Sequence, residues 1–244
     1  MDDWFLYAPP KMGELHWKDG RSAKELAKAF FATGTPVVPP ELLDLLASSD
    51  ELGEVRFTEA WPERKIQLDS YFGETRNADL AAISISAIGK IAVTVEAKAD
   101  ESFGRLIAEE LSAASATSKL PARIAALCSS VLGRPPAGVG NLRYQLLHGI
   151  AGTLIFAKER NAVAAVFIVY EFNGPSCLSR NLERNAGDLA SFLSVLSSSR
   201  SLLRQGKSQV RFMYPVMHRF IQHSAVCWKG HTPYLLKLRR RESF

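Results

Sequence analysis

Two apolar runs, Asp79–Ile85 and Ile91–Val95, stand on either side of a four-residue turn, Ala87–Lys90, that contains Gly89. This pattern reads as a β-hairpin and fixes the middle of any fold the chain can adopt. In the second strand Ile91, Val93, Val95 and Ala97 point one way, while Ala92, Thr94, Glu96 and Lys98 point the other. Folding near Ile88 predicts that Asp79 meets the Ala97–Lys98 pair, because each residue advances roughly 3.3 Å along its strand. Asp79, Glu96 and Lys98 then gather at one end of an otherwise apolar ribbon.

Charged side chains are scarce in central strands, since burying one unpaired costs several kcal/mol. A metal ion changes that balance. Two carboxylates and a backbone carbonyl are oxygen ligands that magnesium prefers. A lysine beside them can position or activate a water and offset the charge that builds during attack on a phosphodiester. The same spacing also suits a Glu–Lys pair on the solvated end of an edge strand, with Asp79 as a turn residue. D-x16-E-x-K is a loose pattern.

The chain of 244 residues is 47% hydrophobic and 23% charged, the balance of a soluble globular protein with a sizeable core. Its net charge of +5 is unevenly spread. Residues 1–60 hold eleven acids against six Lys or Arg, and residues 200–244 hold ten Lys or Arg against Glu242 alone. A basic C-terminal part fits a polyanion-facing surface and, equally, a solubilising tail. Cys128, Cys177 and Cys227 form no CxxC pair, so no disulfide framework or zinc ribbon is indicated. The acidic start MDDWFLYAPP is no secretory leader, and the longest apolar run, Ala162–Tyr170, is far short of the roughly 20 residues that cross a bilayer. The expectation is a cytoplasmic protein with no membrane partner.

In chain order, Ser22 and Glu25 form an S-x-x-E capping box ahead of a helix that Gly34 and Pro36 stop. A second helix is expected from Pro40 to about Ser49, then short strands near Glu54–Thr58 and Lys65–Leu68. After the hairpin, helical spacing covers 102–115 and 121–132. A Gly/Pro loop leads to a long helix capped by Asn141 and ended by Asn161. Residues 162–172, AVAAVFIVYEF, read as a strand covered on both faces. A helix over Ala186–Leu196 follows. Two strands, QVRFMYPVM and PYLLKLRR, flank a segment with His218, His223, Cys227 and His231, whose spacing is a weak zinc pattern. The order predicts an α/β fold with a mixed β-sheet flanked by helices.

Asp79, sixteen residues, then Glu96-Ala97-Lys98 in V-x-V-E-A-K resembles the core motif of the PD-(D/E)XK nuclease superfamily, the restriction-endonuclease-like enzymes. HWKDGRSAKELA and the RYQLLHG helix are similar to bacterial members of that superfamily. The resemblance implies a restriction-endonuclease-like core over about 40–172 in a single domain of 1–244. An N-terminal helical part, 1–39, and a basic C-terminal extension, 173–244, would flank it. Asp79 and Glu96 would hold magnesium or manganese and Lys98 would be catalytic. Ala78 stands where the motif has its proline.

Members of the superfamily often add an acid from the first core helix. Glu41 is the candidate, with Glu51, Glu54 and Glu59 as alternatives, and Glu74 as a second loop carboxylate. Gln145 resembles a supporting glutamine of some subfamilies and is equally a polar residue on a helix flank. Arg76 and Asn77 suit a phosphate contact as well as they suit an exposed loop. His148, among leucines, reads as a core histidine. Arg239, Arg240 and Arg241 would grip a nucleic-acid backbone. The implied activity is phosphodiester hydrolysis, in DNA, with a homodimer as one arrangement that makes both cuts of a duplex. A catalytically inactive binding or protein-interaction module on the same fold is the alternative. No G-x-x-x-x-G-K-[ST], G-x-G-x-x-G or G-x-S-x-G motif supports nucleotide-dependent or serine chemistry.

Overall fold

The structure is a computed structural model that describes residues 2–10, 12–71, 75–173, 179–198, 225–229 and 234–241. Its centre is the antiparallel hairpin of β2 (Arg76–Ser86) and β3 (Gly89–Lys98). The turn is tighter than the sequence suggested. Ser86 pairs with Gly89, so only Ala87 and Ile88 lie in the loop. Gly89, the first residue of β3, has φ +111°, a backbone angle that side chains rarely tolerate. Shortening the turn from four residues to two moves the pairing by two residues. Leu80 lies opposite Val95, so the backbone ladder runs on toward Glu96 as the partner of Asp79, while the Asp79 side chain still meets the Ala97 amide.

β1 (Arg56–Ile66) pairs with β2 as one continuous strand where two short ones were expected. Pairing along the apolar length of β2 overrides the polar local pattern of β1. A register shift between Phe57 and Glu59 and the proline at Pro62 mark it as an edge strand. β4 (Ala164–Asn173) lies parallel to β3, from Ile91↔Ala164 to Lys98↔Glu171. The connection between them carries α4 (Ile107–Ala113), α5 (Leu120–Leu127) and α6 (Tyr144–Glu159). The result is an α/β fold with a mixed, open sheet flanked by helices.

Beyond β4 the sheet continues with β5 (Ala225–Lys229) and β6 (Tyr234–Arg241). β6 is parallel to β4 and corresponds to the expected PYLLKLRR strand. β5 falls where the sequence suggested a non-strand segment. The expected strand QVRFMYPVM lies outside the described residues, as do Glu74, Cys177, His218, His223 and His231.

On the N-terminal side stand α1 (Asp2–Tyr7), α2 (Ser22–Phe30) and α3 (Pro40–Ala47). α2 starts at Ser22, but the capping box does not form: Arg21 is the cap residue, with no side-chain capping bond. Glu25 instead accepts a bond from the Gly20 amide at 2.8 Å and pairs with Lys28, while the Ser22 hydroxyl donates to Glu101. α6 starts two residues later than a cap at Asn141 predicts, because Arg143 is held in an isolated bridge with Leu106. The helix expected over 102–115 covers Ile107–Ala113, and the one expected over Ala186–Leu196 is α7 (Ser179–Ser198). A buried core cluster extends from Trp4 to Leu196 and includes both alternating sets of β3 residues. Among the described residues no helix is long and apolar enough to cross a membrane.

Candidate functional site

The C-terminal ends of parallel β3 and β4 lie together, and α6 packs across the β3 face that carries Thr94 and Glu96. Thr94 and Thr153 share a hydrogen bond of 2.5 Å between β3 and α6. Alternation along β3 places Glu96 on the same face, one turn of the pleat further on. Its carboxylate is the hub of the site. Oε1 accepts from Gln145 Nε2 at 2.6 Å and from Lys98 Nζ at 3.0 Å, and Oε2 accepts from Arg76 Nη2 at 3.3 Å. The side chains of Arg76, Glu96 and Lys98 are at most 6% exposed. Asp79, half-buried, caps the strand end by accepting from the Ala97 amide at 2.6 Å.

Arg76 reaches Glu96 through a notch in α6. A Cβ at Gly152 would stand 2.6 Å from Arg76 Cδ, and one at Gly149 would stand 2.8 Å from Phe167 Cζ. Two glycines three apart thus let the arginine stem pass between helix and sheet, with its guanidinium 5.9 Å from the Phe167 ring centre. Among the described residues its Nε and Nη1 have no hydrogen-bond partner. The expected phosphate contact by Arg76 does not fit this position. Burial turns the guanidinium inward, onto a carboxylate.

The electrostatics follow from crowding. Burial, then the charges of Glu96 and Glu63, hold the Asp79 carboxyl well above the usual range. Burial and Glu96 likewise push Glu63 up to about 7, against a hydrogen bond from Asn77 that lowers it. Burial opposes charge on Lys98, but Glu96, Asp79 and Glu101 outweigh it and hold the ammonium above its ordinary value. Lys98 is therefore a protonated lysine, suited to hold and offset negative charge. Burial lowers His148 to about 3, so the imidazole is neutral; it packs edge-on against Tyr144 at 4.9 Å between ring centres.

Of the residues expected from sequence, the structure brings together Asp79, Glu96, Lys98 and Gln145. It does not bring Glu41 to them. The Glu41 carboxylate accepts from the Tyr170 hydroxyl at 2.6 Å, and Tyr170, in register with Ala97, faces the opposite side of the sheet from Glu96. Glu54 and Glu59 are exposed. Asn77 is exposed and donates to Glu63. The backbone of Arg239, Arg240 and Arg241 ends β6 in register with Glu171, Phe172 and Asn173, at the same end of the sheet as Lys98.

Three acids at the site were not singled out. Glu63, in β1, has φ +49° and sits between the pairs Pro62↔Leu80 and Arg64↔Ala78, at the level of Asp79. Glu101 caps its own turn through the Ala99 and Asp100 amides at 3.2 and 3.0 Å and faces Lys98. Glu171, fully buried, lies beside Lys98 in the β4 register, so the strand read as apolar throughout ends in a charge. The W-P-E-R step of β1 was the available signal for Glu63, since a proline in an edge strand marks a local irregularity. Among the described residues no group of three or more His, Cys, Asp or Glu side chains is spaced to hold a metal ion.

The chain belongs to the family described as a domain of unknown function (DUF6946), which matches residues 1–218. No curated protein and no solved structure matches it.

Proposed function

We propose that the chain is a metal-dependent nuclease of the PD-(D/E)XK kind, hydrolysing phosphodiester bonds in DNA. One observation carries the reading: Asp79, Glu96, Lys98 and Gln145, picked from a loose sequence pattern, meet at the end of two paired strands beneath one helix. The donor set suits a hard divalent cation in kind. Asp79 binds its proton tightly because it is buried and then because Glu96 and Glu63 crowd it, and that crowding is what a cation relieves. Asp79 and Glu96 would hold magnesium or manganese, which when bound supplies Lewis acidity to the phosphoryl group.

The chain's own groups do the rest. Gln145, anchored in α6, fixes the orientation of Glu96 through one carboxylate oxygen. Lys98, kept protonated by its acidic neighbours, offsets the charge that grows on the phosphoryl oxygens. Arg76 holds the other Glu96 oxygen from the interior.

Purified protein is expected to cut DNA when magnesium or manganese is added. Asp79→Ala and Lys98→Ala should lower the rate by about a thousandfold or more, and Gln145→Ala by about tenfold. A wild-type protein inert on varied DNA and RNA, or variants that cut like wild type, would sink the reading. One observation favours a second reading, a catalytically inactive nucleic-acid-binding or protein-interaction module. Glu96 is already met by Arg76 and Lys98 within the protein, so its charge needs no metal. Titration calorimetry separates the two: metal binding that disappears in Asp79→Ala favours the nuclease.

A further inference from the structure

Beside the strand ends, β1 and the end of α1 enclose a cleft of about 820 Å³, lined by Tyr7, Trp61, Glu63, Arg64, Lys65 and Asn77 among others. Its volume lies in the roughly 300–1,000 Å³ range of ligand sites. Glu63 and Asn77 join it to the carboxylate cluster, since Glu63 acts on Asp79 through its charge. Two cations stand over Trp61, and a third lines the cleft. Arg160 and Arg64 stand 4.5 and 5.5 Å from its ring centre, and Lys65 is the third cation, on the cleft wall. Among the described residues none of the three has an ion-pair partner, and the buried Nε of Arg64 has no acceptor. Elsewhere the fold pairs its half-buried arginines, as Arg123 with Asp69 and Arg143 with Asp188. The cleft therefore presents the positive charge of Arg64 and Lys65 with no acid paired to either among the described residues, a surface that suits an anionic ligand. Tyr7, 68% exposed, adds an aromatic face at the mouth.

We propose that this cleft seats a short unpaired stretch of the nucleic-acid strand flanking the Asp79–Glu96 site, with Arg64 and Lys65 on its phosphates and Tyr7 against a base. The assignment rests on the nuclease reading for its substrate class and deepens it: the strand that enters is single. A paired base has no free face for Tyr7. Phosphates are drawn to the unpaired charges of Arg64 and Lys65, and stacking on an aromatic ring serves any base.

The test is fluorescence anisotropy with fluorescein-labelled single strands of roughly twelve nucleotides, a length suited to a groove of this kind. It is run in EDTA so that nothing is cut, with DNA and RNA in parallel arms that identify the preferred sugar. The double variant Arg64→Ala/Lys65→Ala is expected to weaken binding at least tenfold and to flatten the salt dependence by about 1.4, since two phosphates are no longer neutralised. Tyr7→Ala should weaken it about fivefold or more. Lys119→Ala, an exposed cation outside the cleft, should bind as wild type does. Melting temperatures establish that each variant is folded. Wild type that binds no single strand, cleft variants that keep full affinity, or a duplex that outcompetes the single strand would overturn the proposal. Cutting by wild type with unaltered affinity in the cleft variants overturns the cleft alone. Affinity reduced in those variants, with no cutting by wild type, upholds the cleft and overturns the nuclease.

Discussion

At the scale of single residues, the site is decided by what surrounds the Glu96 carboxylate. Arg76, Lys98 and Gln145 all donate to it, and a carboxylate so enclosed is tolerable only while its cations stay. Removing one partner of a buried ion pair costs about 3–5 kcal/mol, because the other charge is stranded. Arg76→Met is therefore expected to lower unfolding free energy by about 3 kcal/mol in urea titration, whereas Arg21→Met, at a pair half exposed to water, should change it little. Glu63 gives a second residue-scale outcome. Its folded pKa of about 7 exceeds the ordinary 4.5, so between those values the native state holds a proton that the unfolded chain has released. Stability then falls as pH rises from about 4.5 to 7, and the penalty is complete above 7. Glu63→Gln should flatten that slope in denaturation curves taken across the window, by an amount on the order of 2 kcal/mol. A slope unchanged by the substitution would show that Glu63 titrates normally.

At the scale of elements, α6 is the part shaped for the site. One face supplies Gln145 and Thr153 to β3, and the glycines at 149 and 152 open the notch that Arg76 fills. Gly152→Ala places a Cβ 2.6 Å from Arg76 Cδ, which must move and loosen its hold on Glu96. A loss of about 1–3 kcal/mol is expected by the same titration, as for other overpacked interiors. Gly187→Ala, at an exposed position of α7, meets no atom within 4 Å and should gain up to about 1 kcal/mol, the helix propensity of alanine over glycine. The hairpin shows how far an element can be read from its own residues. The alternation of Ala92, Thr94, Glu96 and Lys98 is local and was legible; the turn length was not. A four-residue loop would pair Ser86 with Ile91, the two-residue loop pairs it with Gly89, and that choice moved the register by two.

At the scale of the whole molecule, the mixed sheet gathers the ends of β3, β4 and β6 at the candidate site and buries the core on both sides of β3. Cys128 lies in that core, and burial pushes its thiol up to about 11. Iodoacetamide at about pH 8 should leave Cys128 unmodified in the folded protein and label it at the rate of unfolding, as mass mapping of its peptide would measure. The α/β class, β4 and most helices follow from periods of hydrophobicity that each segment carries in itself. So do Asp79, Glu96 and Lys98, because two strands joined by a short turn leave little choice of neighbours. Glu63, Glu101 and the inward reach of Arg76 came into view only with the tertiary structure, since nothing local says that an edge strand, a turn and a buried arginine will converge. Glu41 was placed by analogy with a helix, and Tyr170 draws it to the other face of the sheet. Short-range pattern fixes which way a side chain points along its own strand or helix. Which charges then share one low-dielectric space depends on how the sheet is ordered and on how closely α6 can approach it.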